Sequence, residues 1–245
     1  MKGLIIKDYY CLKKQIETLA FILTGIAAVA VMTVLSERFG NLSRAVSEST
    51  EIVSIFRISV MLFLILPVIC VADISSLFIY DKAASFYKTA ASSPLGTEKR
   101  VLSKFITALL FLTAGIATDL IMAAVMAGVS DMIAFKECAG AMISIAACVT
   151  VYTSLVITLN YAGLTPLYSS VLPIAAGAVL FFAVKIRRII AALSANDVQS
   201  LFRFFSVVIK TIETKPYMFA AGAAAVITGC FFLSVFFAKR RREVA

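Results

Sequence analysis

Few residues in this chain could do chemistry. Its 245 residues include no histidine, so neither a Ser–His nucleophilic pair nor a histidine-held metal can be built. Five cysteines, Cys11, Cys70, Cys138, Cys148 and Cys230, form no Cys-x-x-Cys pair. Three of them lie within apolar runs and read as small hydrophobes. The phosphate-cradling pattern GxxxxGK[ST] does not occur, so this sequence carries no P-loop for ATP. No apolar run holds the paired carboxylates that an intramembrane aspartyl site would need. The most deeply set acid is Asp119, the one charge in the run 105–129. It lies about 21 Å beyond Phe105 by helical rise, past the middle of a bilayer. A carboxylate there marks a functional path, or else reaches the far interface or bonds a neighbouring helix. Asp73, at the end of the run 58–78, reads as an interfacial acid. These residues predict no catalytic site and no metal site.

The elements that would carry these residues are membrane helices. The chain is 61% hydrophobic and 15% charged, with mean hydropathy +0.98. A soluble domain is about half apolar and a quarter charged. Six runs are long enough to cross a bilayer: 18–36, 58–78, 105–129, 139–159, 166–184 and 217–238. Backbone polar groups cannot stay unpaired in lipid, so the expected fold is an all-α membrane protein with six transmembrane helices in one domain, 1–245. Pro67 and Pro173 fall inside the second and fifth runs and can kink them. Asn160, Tyr161, Gly163 and Pro166 predict a short turn between the fourth and fifth.

Charge sets the expected orientation. The net charge is +9. The basic residues flank apolar runs, where anionic headgroups attract them, so the expected partner is lipid and not nucleic acid. With both termini inside, 13 of the 23 Lys and Arg residues fall on the inner side. The bias favours termini in the cytoplasm, led by the basic N-terminus and the KRRR after the last run. The KIRR at 185–188 opposes it.

Three polar segments have helical periodicity. Residues 2–17 place Ile5, Tyr9, Leu12 and Ile16 on one stripe, with Lys7, Cys11 and Lys14 opposite, as in a helix lying along the headgroups. Residues 196–214 form a second amphipathic segment, interfacial or re-entrant, before the last crossing. The third is YDKAASFYKTAASSPLGTEKRVLSK, residues 80–104. Here Tyr80, Ala83, Ala84, Tyr87, Ala90 and Ala91 recur at helical spacing over 81–92, and Pro94 and Gly96 end the pattern. Thr97 is placed to cap the next helix, with Glu98 in its first turn.

At these residues the chain resembles the permease subunits of bacterial type-two ATP-binding-cassette (ABC) transporters. The opening MKGLIIKDYYCLKKQ carries the likeness. So does the 80–104 stretch, with its acid, aromatic, Ser-Pro-Leu turn and Ser-Lys-aromatic helix entry. The chain departs from that pattern at Phe86 or Tyr87, where tryptophan is expected. The resemblance implies an N-terminal interfacial elbow helix and a cytosolic coupling helix, 81–93, that meets a separate ATPase. Asp81, Phe86, Tyr87, Thr89, Ala90, Ser93 and Pro94 would form the ATPase contact, with Asp8 and Tyr9 touching it from the elbow. It also implies two ATPase copies holding ATP and magnesium, no cofactor on this chain, and a second permease chain, identical or not. Asp119, Pro67 and Pro173 would border the translocation path. The similar small permeases imply export of a hydrophobic or amphipathic peptide across the bacterial cytoplasmic membrane. Drug, lipid or sodium export, an ATPase-independent transporter, and a membrane anchor or sensor are the alternative readings.

Overall fold

The computed structural model describes residues 3–13, 67–69, 71–72, 74–83, 96–129, 135–179 and 216–244, with isolated positions between 17 and 28. Regular structure among the described residues is helical throughout. We label the helices α1 (residues 3–13), α2 (Ser75–Ala83), α3 (Thr97–Val129), α4 (Phe135–Ala162), α5 (Pro166–Val179) and α6 (Pro216–Val244).

Among the described residues, three stretches are long and apolar enough to cross a membrane: Thr97–Val125, Ala139–Ala162 and Pro216–Arg240. They coincide with the expected third, fourth and sixth crossings. α3 has 33 residues, a length of about 50 Å, so it outruns a hydrocarbon layer of roughly 30 Å. α5 covers the first part of the expected fifth crossing. The rest of that run, most of the first two runs and the 196–214 segment lie outside the described residues.

Two boundaries differ from the sequence expectation. The run 58–78 is not one helix to its end, because Ile74 is non-helical and α2 begins at Ser75. There the amide of Ile74 donates to the carbonyl of Ala72 at 3.1 Å, and the carbonyl of Ile74 accepts from the amide of Leu77 at 3.0 Å as α2 starts. Gly96, not Thr97, precedes the first turn of α3: its carbonyl accepts from the amide of Lys99 at 3.1 Å, and Thr97 is the first helical residue.

Cross-helix pairs fix the directions. Phe105 of α3 stacks edge-on against Phe231 of α6 at 5.7 Å. Glu98 accepts from Lys239 at 2.7 Å. The start of α3 therefore lies beside the end of α6. Phe78 of α2 meets Tyr161, near the end of α4, at 5.8 Å. α4 and α6 thus run together, and α3 runs against both. One end of the bundle gathers α1, α2, the base of α3 and the ends of α4 and α6.

The most extensive helix pairing, α4 on α6, is joined by hydroxyls. Ser234 donates to the carbonyl of Cys230 at 2.7 Å and lies 3.1 Å from the Thr158 hydroxyl. Thr150, Thr153, Ser154 and Thr158 each reach the carbonyl four residues back, at 2.6 to 2.8 Å. Their polar groups are satisfied within the helix, so they can be buried without water.

α4 ends in a Schellman turn. Gly163 adopts φ 111°, a left-handed conformation that glycine takes at no steric cost. The amide of Leu164 donates to the carbonyl of Leu159, and that of Gly163 to the carbonyl of Asn160, both at 3.1 Å. Pro166 then opens α5, where a missing amide is harmless. Asn160 donates across this turn to Ser169 at 2.6 Å, and both are buried. The uncharged turn expected between the fourth and fifth crossings is therefore present and pinned.

At Gly115, α3 packs closely on Val68 and Val71. A Cβ there would stand 2.7 Å from Cγ2 of Val71 and 3.4 Å from Cα of Val68. Val71 is 1% exposed and rotamerically stiff, so it has no room to yield. Gly115→Ala should destabilise the protein by about 1–3 kcal/mol. Gly177→Ala, with nothing within 4 Å of the added Cβ, should be neutral or better by up to about 1 kcal/mol. Thermal unfolding of the two variants in the same detergent checks the contrast.

Candidate functional site

The site with the densest chemistry lies at the end of the bundle where α1, α2 and α3 meet. Lys7 and Asp8 come from α1, Asp81 from the last turn of α2, and Ser103 and Lys104 from the second turn of α3. Lys104 donates to Asp8 Oδ1 at 2.6 Å and pairs with Asp81 Oδ2 at 2.7 Å. Lys7 donates to Asp81 Oδ1 and lies 3.5 Å from Asp8 Oδ1. The four charges alternate around a closed ring with no net charge.

Each carboxylate oxygen in the ring has a donor close by. Asp8 Oδ2 lies 3.3 Å from the Ser103 hydroxyl, which is also 3.0 Å from the carbonyl of Arg100. One hydroxyl proton serves one of these acceptors at a time. The Lys104 ammonium also stands 5.7 Å from the centre of the Phe78 ring, within cation–π range. The side chains of Asp8, Asp81 and Lys104 are 1%, 4% and 5% exposed, and that of Lys7 is 31% exposed. An ion taken out of water at this depth is tolerated only with a complete set of partners.

Apolar contacts hold the ring in place. Leu12 of α1 is fully buried, in one cluster with Ile74, Leu77, Phe78, Val101 and Phe105. Tyr9 tilts onto Phe111 of α3 at 6.1 Å. Phe111 lies seven residues beyond Lys104, about 10 Å further along the helix. The outer side of α1 carries Ile6 and Tyr10, which are 56% and 68% exposed. Asp8 and Leu12 are the buried positions, while Tyr9 is 46% exposed. Ion pairing outweighs apolar periodicity here, because partners for Lys7 and Asp8 stand on the neighbouring helices.

The structure thus brings together Asp8, Asp81 and Tyr9 from the expected site. Both acids are turned inward and engaged with lysines. Phe86, Tyr87, Thr89, Ala90, Ser93 and Pro94 lie outside the described residues. Lys7, Ser103 and Lys104 are additions that sequence reasoning missed. Their signal was present as four opposite charges at three expected membrane boundaries.

Asp119 stands apart from this cluster. It is 1% exposed, on the same stripe of α3 as Ala108, Leu112, Gly115 and Ala123. Its Oδ1 has no hydrogen-bond partner among the described residues. Pro67 is helical, and its carbonyl lies 3.5 Å from the position of a Cβ on Gly115, one turn from Asp119. Pro173 is half-buried within an α5 that continues through it. Among the described residues no three acids or cysteines converge as a metal site would require.

Cys11 lies beside the ring and reports on it. Burial pushes its thiol above the ordinary cysteine value, outweighing the downward pull of Lys104 and Lys7. The thiolate is the reactive form, and a raised value depletes it at neutral pH. In the full chain, Cys11 should react with a maleimide more slowly than a cysteine placed at exposed Lys13. The rate should climb as pH rises toward the alkaline range. Peptide-level mass spectrometry across a pH series measures both.

Across residues 3–240 the chain matches the family model described as ABC-2 family transporter protein. No curated protein and no solved structure matches it. The match runs from the first residue of α1 to the end of the span in α6, and so takes in the whole ion ring, the Gly115 contact and Asp119. Permeases of this kind are membrane components of transporters, are not themselves catalytic, and associate with an ABC ATPase. With its apolar spans and this match over nearly its entire length, the chain belongs to the ABC-2 family of transporter proteins as a membrane permease.

Proposed function

We propose that this permease couples a separate ATPase to export of a hydrophobic or amphipathic peptide, with residues 81–93 as the element the ATPase pushes. One observation carries the coupling reading. α2 ends at Ala83 and α3 begins at Thr97, and the ion ring ties both to α1 through Asp81 and Lys104. A segment anchored at both ends passes a push into two helices at once. Phe86, Tyr87, Thr89, Ala90, Ser93 and Pro94 then supply the docking surface. Asp8 and Asp81 act behind it, by holding its anchors, and Tyr9 seats the elbow on α3.

The wider assembly follows from this division of labour. ATP and magnesium belong to two ATPase copies, and a second permease chain, identical or not, completes the pathway. The bundle end that gathers Lys7, Lys104 and Lys239 faces the cytoplasm of a bacterial cell, in keeping with its basic character. The cargo reading rests on the apolar spans and on Asp119, a buried acid within one of them, with Pro67 and Pro173 bordering the path. Its open Oδ1 also favours a cationic group on the cargo, so sodium or a cationic drug is the second reading.

Two experiments test the proposal. Deleting Phe86–Ala90 should abolish both copurification of a partner ABC ATPase and ATP-dependent export. Intact assembly and transport in that variant would refute the coupling role. Asp119→Asn keeps shape and removes charge, and should alter transport at normal expression. Unchanged transport would make Asp119 a structural residue.

A further inference from the structure

We propose that Lys7, Asp8, Asp81 and Lys104 are positioning residues that lock α1, α2 and the base of α3 into one rigid body. This body would move as a unit when the 84–95 segment is pushed, so the inference rests on the coupling role for its consequence. The lock itself stands on geometry alone.

The ring has three properties that favour rigid motion over sliding. It is closed: Lys104 bridges Asp8 and Asp81, and Lys7 bridges the same two acids from the other side. It is neutral, so translating it whole strands no charge. It is also buried, so sliding α1 past α2 would leave two carboxylates without their cations in a poorly hydrated site. A sliding intermediate is therefore penalised, whereas a displacement of all three helices together is not. Lys104 is the hub, because it alone bonds the acids of both other helices from α3.

The apolar shell points the same way. Leu12 is 0% exposed, and so are Ile74, Leu77 and Val101 in the cluster it joins. Tyr9 on Phe111 extends the grip of α1 along α3, beyond the ring. The outer face of α1 presents Ile6 and Tyr10, so the elbow is bound to the bundle on one side and offers an apolar, aromatic surface on the other. A motion at the coupling segment would thus be carried to the helix best suited to press on the headgroups.

Amide hydrogen exchange of the full-length permease in lipid nanodiscs tests the lock without the ATPase. Lys104→Met should raise exchange in residues 3–13 and 75–83 by about a hundred-fold, with α4 and α6 unchanged. Lys104→Arg, which keeps the cation, should restore most of the protection. Unchanged exchange in 3–13 would overturn the proposal, as would a rise of equal size across α4 and α6. Should Lys104→Met fail to insert, the pair Lys7→Met with Asp81→Asn removes one charge of each sign and keeps the Lys104–Asp8 bond. It should loosen α2 from α1, and no loosening would again overturn the lock. Failure of the coupling role would show separately, as transport surviving the Phe86–Ala90 deletion while these exchange patterns persist.

Discussion

Two aspartates and a lysine, buried where α1, α2 and α3 meet, and the partly exposed Lys7 that closes their ring constrain everything around them. A buried carboxylate is far more costly alone than in a pair, and a pair in turn needs its remaining lone pairs satisfied. Asp8 and Asp81 meet that demand by sharing Lys104 and Lys7, with Ser103 beside the remaining oxygen of Asp8. The arrangement is possible only if α1 lies across both α2 and the base of α3. The ring therefore determines the seat of the N-terminal helix, which face of it turns inward, and how the two ends of the 84–95 segment are held.

The remainder of the bundle handles its polar groups differently. On α4, Thr150, Thr153 and Ser154 each return their hydroxyl proton to the same helix. Such groups are indifferent to what stands opposite, so α4 can pack on α6 through small contacts such as Thr158 with Ser234. Local satisfaction lets a helix shift by small steps. The shared satisfaction in the ion ring does not, since each ion depends on a residue at least 70 positions away in sequence, as with Lys7 and Asp81. One end of the molecule is thereby stiffened by charge, while the spans rely on packing and hydroxyls.

This difference explains what was legible in the sequence. The crossings at 105–129, 139–159 and 217–238 could be read directly, because hydropathy and length are local properties. The Gly163–Pro166 turn was legible for the same reason: glycine and proline act on their own backbone. The amphipathic character of residues 3–13 is also visible in the sequence, but not which positions turn toward the bundle. Periodicity favoured Tyr9 with Leu12, whereas the structure buries Asp8 with Leu12. Only the partners, on helices remote in sequence, make that choice favourable. The break at Ile74 is hidden because isoleucine continues an apolar run by composition, whereas the break lies in backbone bonds to Ala72 and Leu77. Lys104 read as one more surface cation at a membrane boundary, and nothing local distinguishes it from Lys99.

Asp119 and the ring illustrate two opposite uses of buried charge in one helix. Lys104 lies near the start of α3 with both neighbouring acids bound to it. Asp119, fifteen residues further along and about 22 Å away by helical rise, retains an oxygen with no hydrogen-bond partner among the described residues. A completed set of bonds resists change, because any movement within it loses an interaction. An incomplete set invites change, because a donor arriving there gains one. A device that converts a push into passage needs both: a stiff end that does not absorb the displacement, and a responsive point farther along the same rod. α3 joins the two without a proline between Thr97 and Val129, and Gly115 seats it closely on Val68 and Val71 one turn before Asp119. On the proposed function, a displacement imposed at the ring would therefore reach the acid through continuous helix, just beyond the close contact at Gly115.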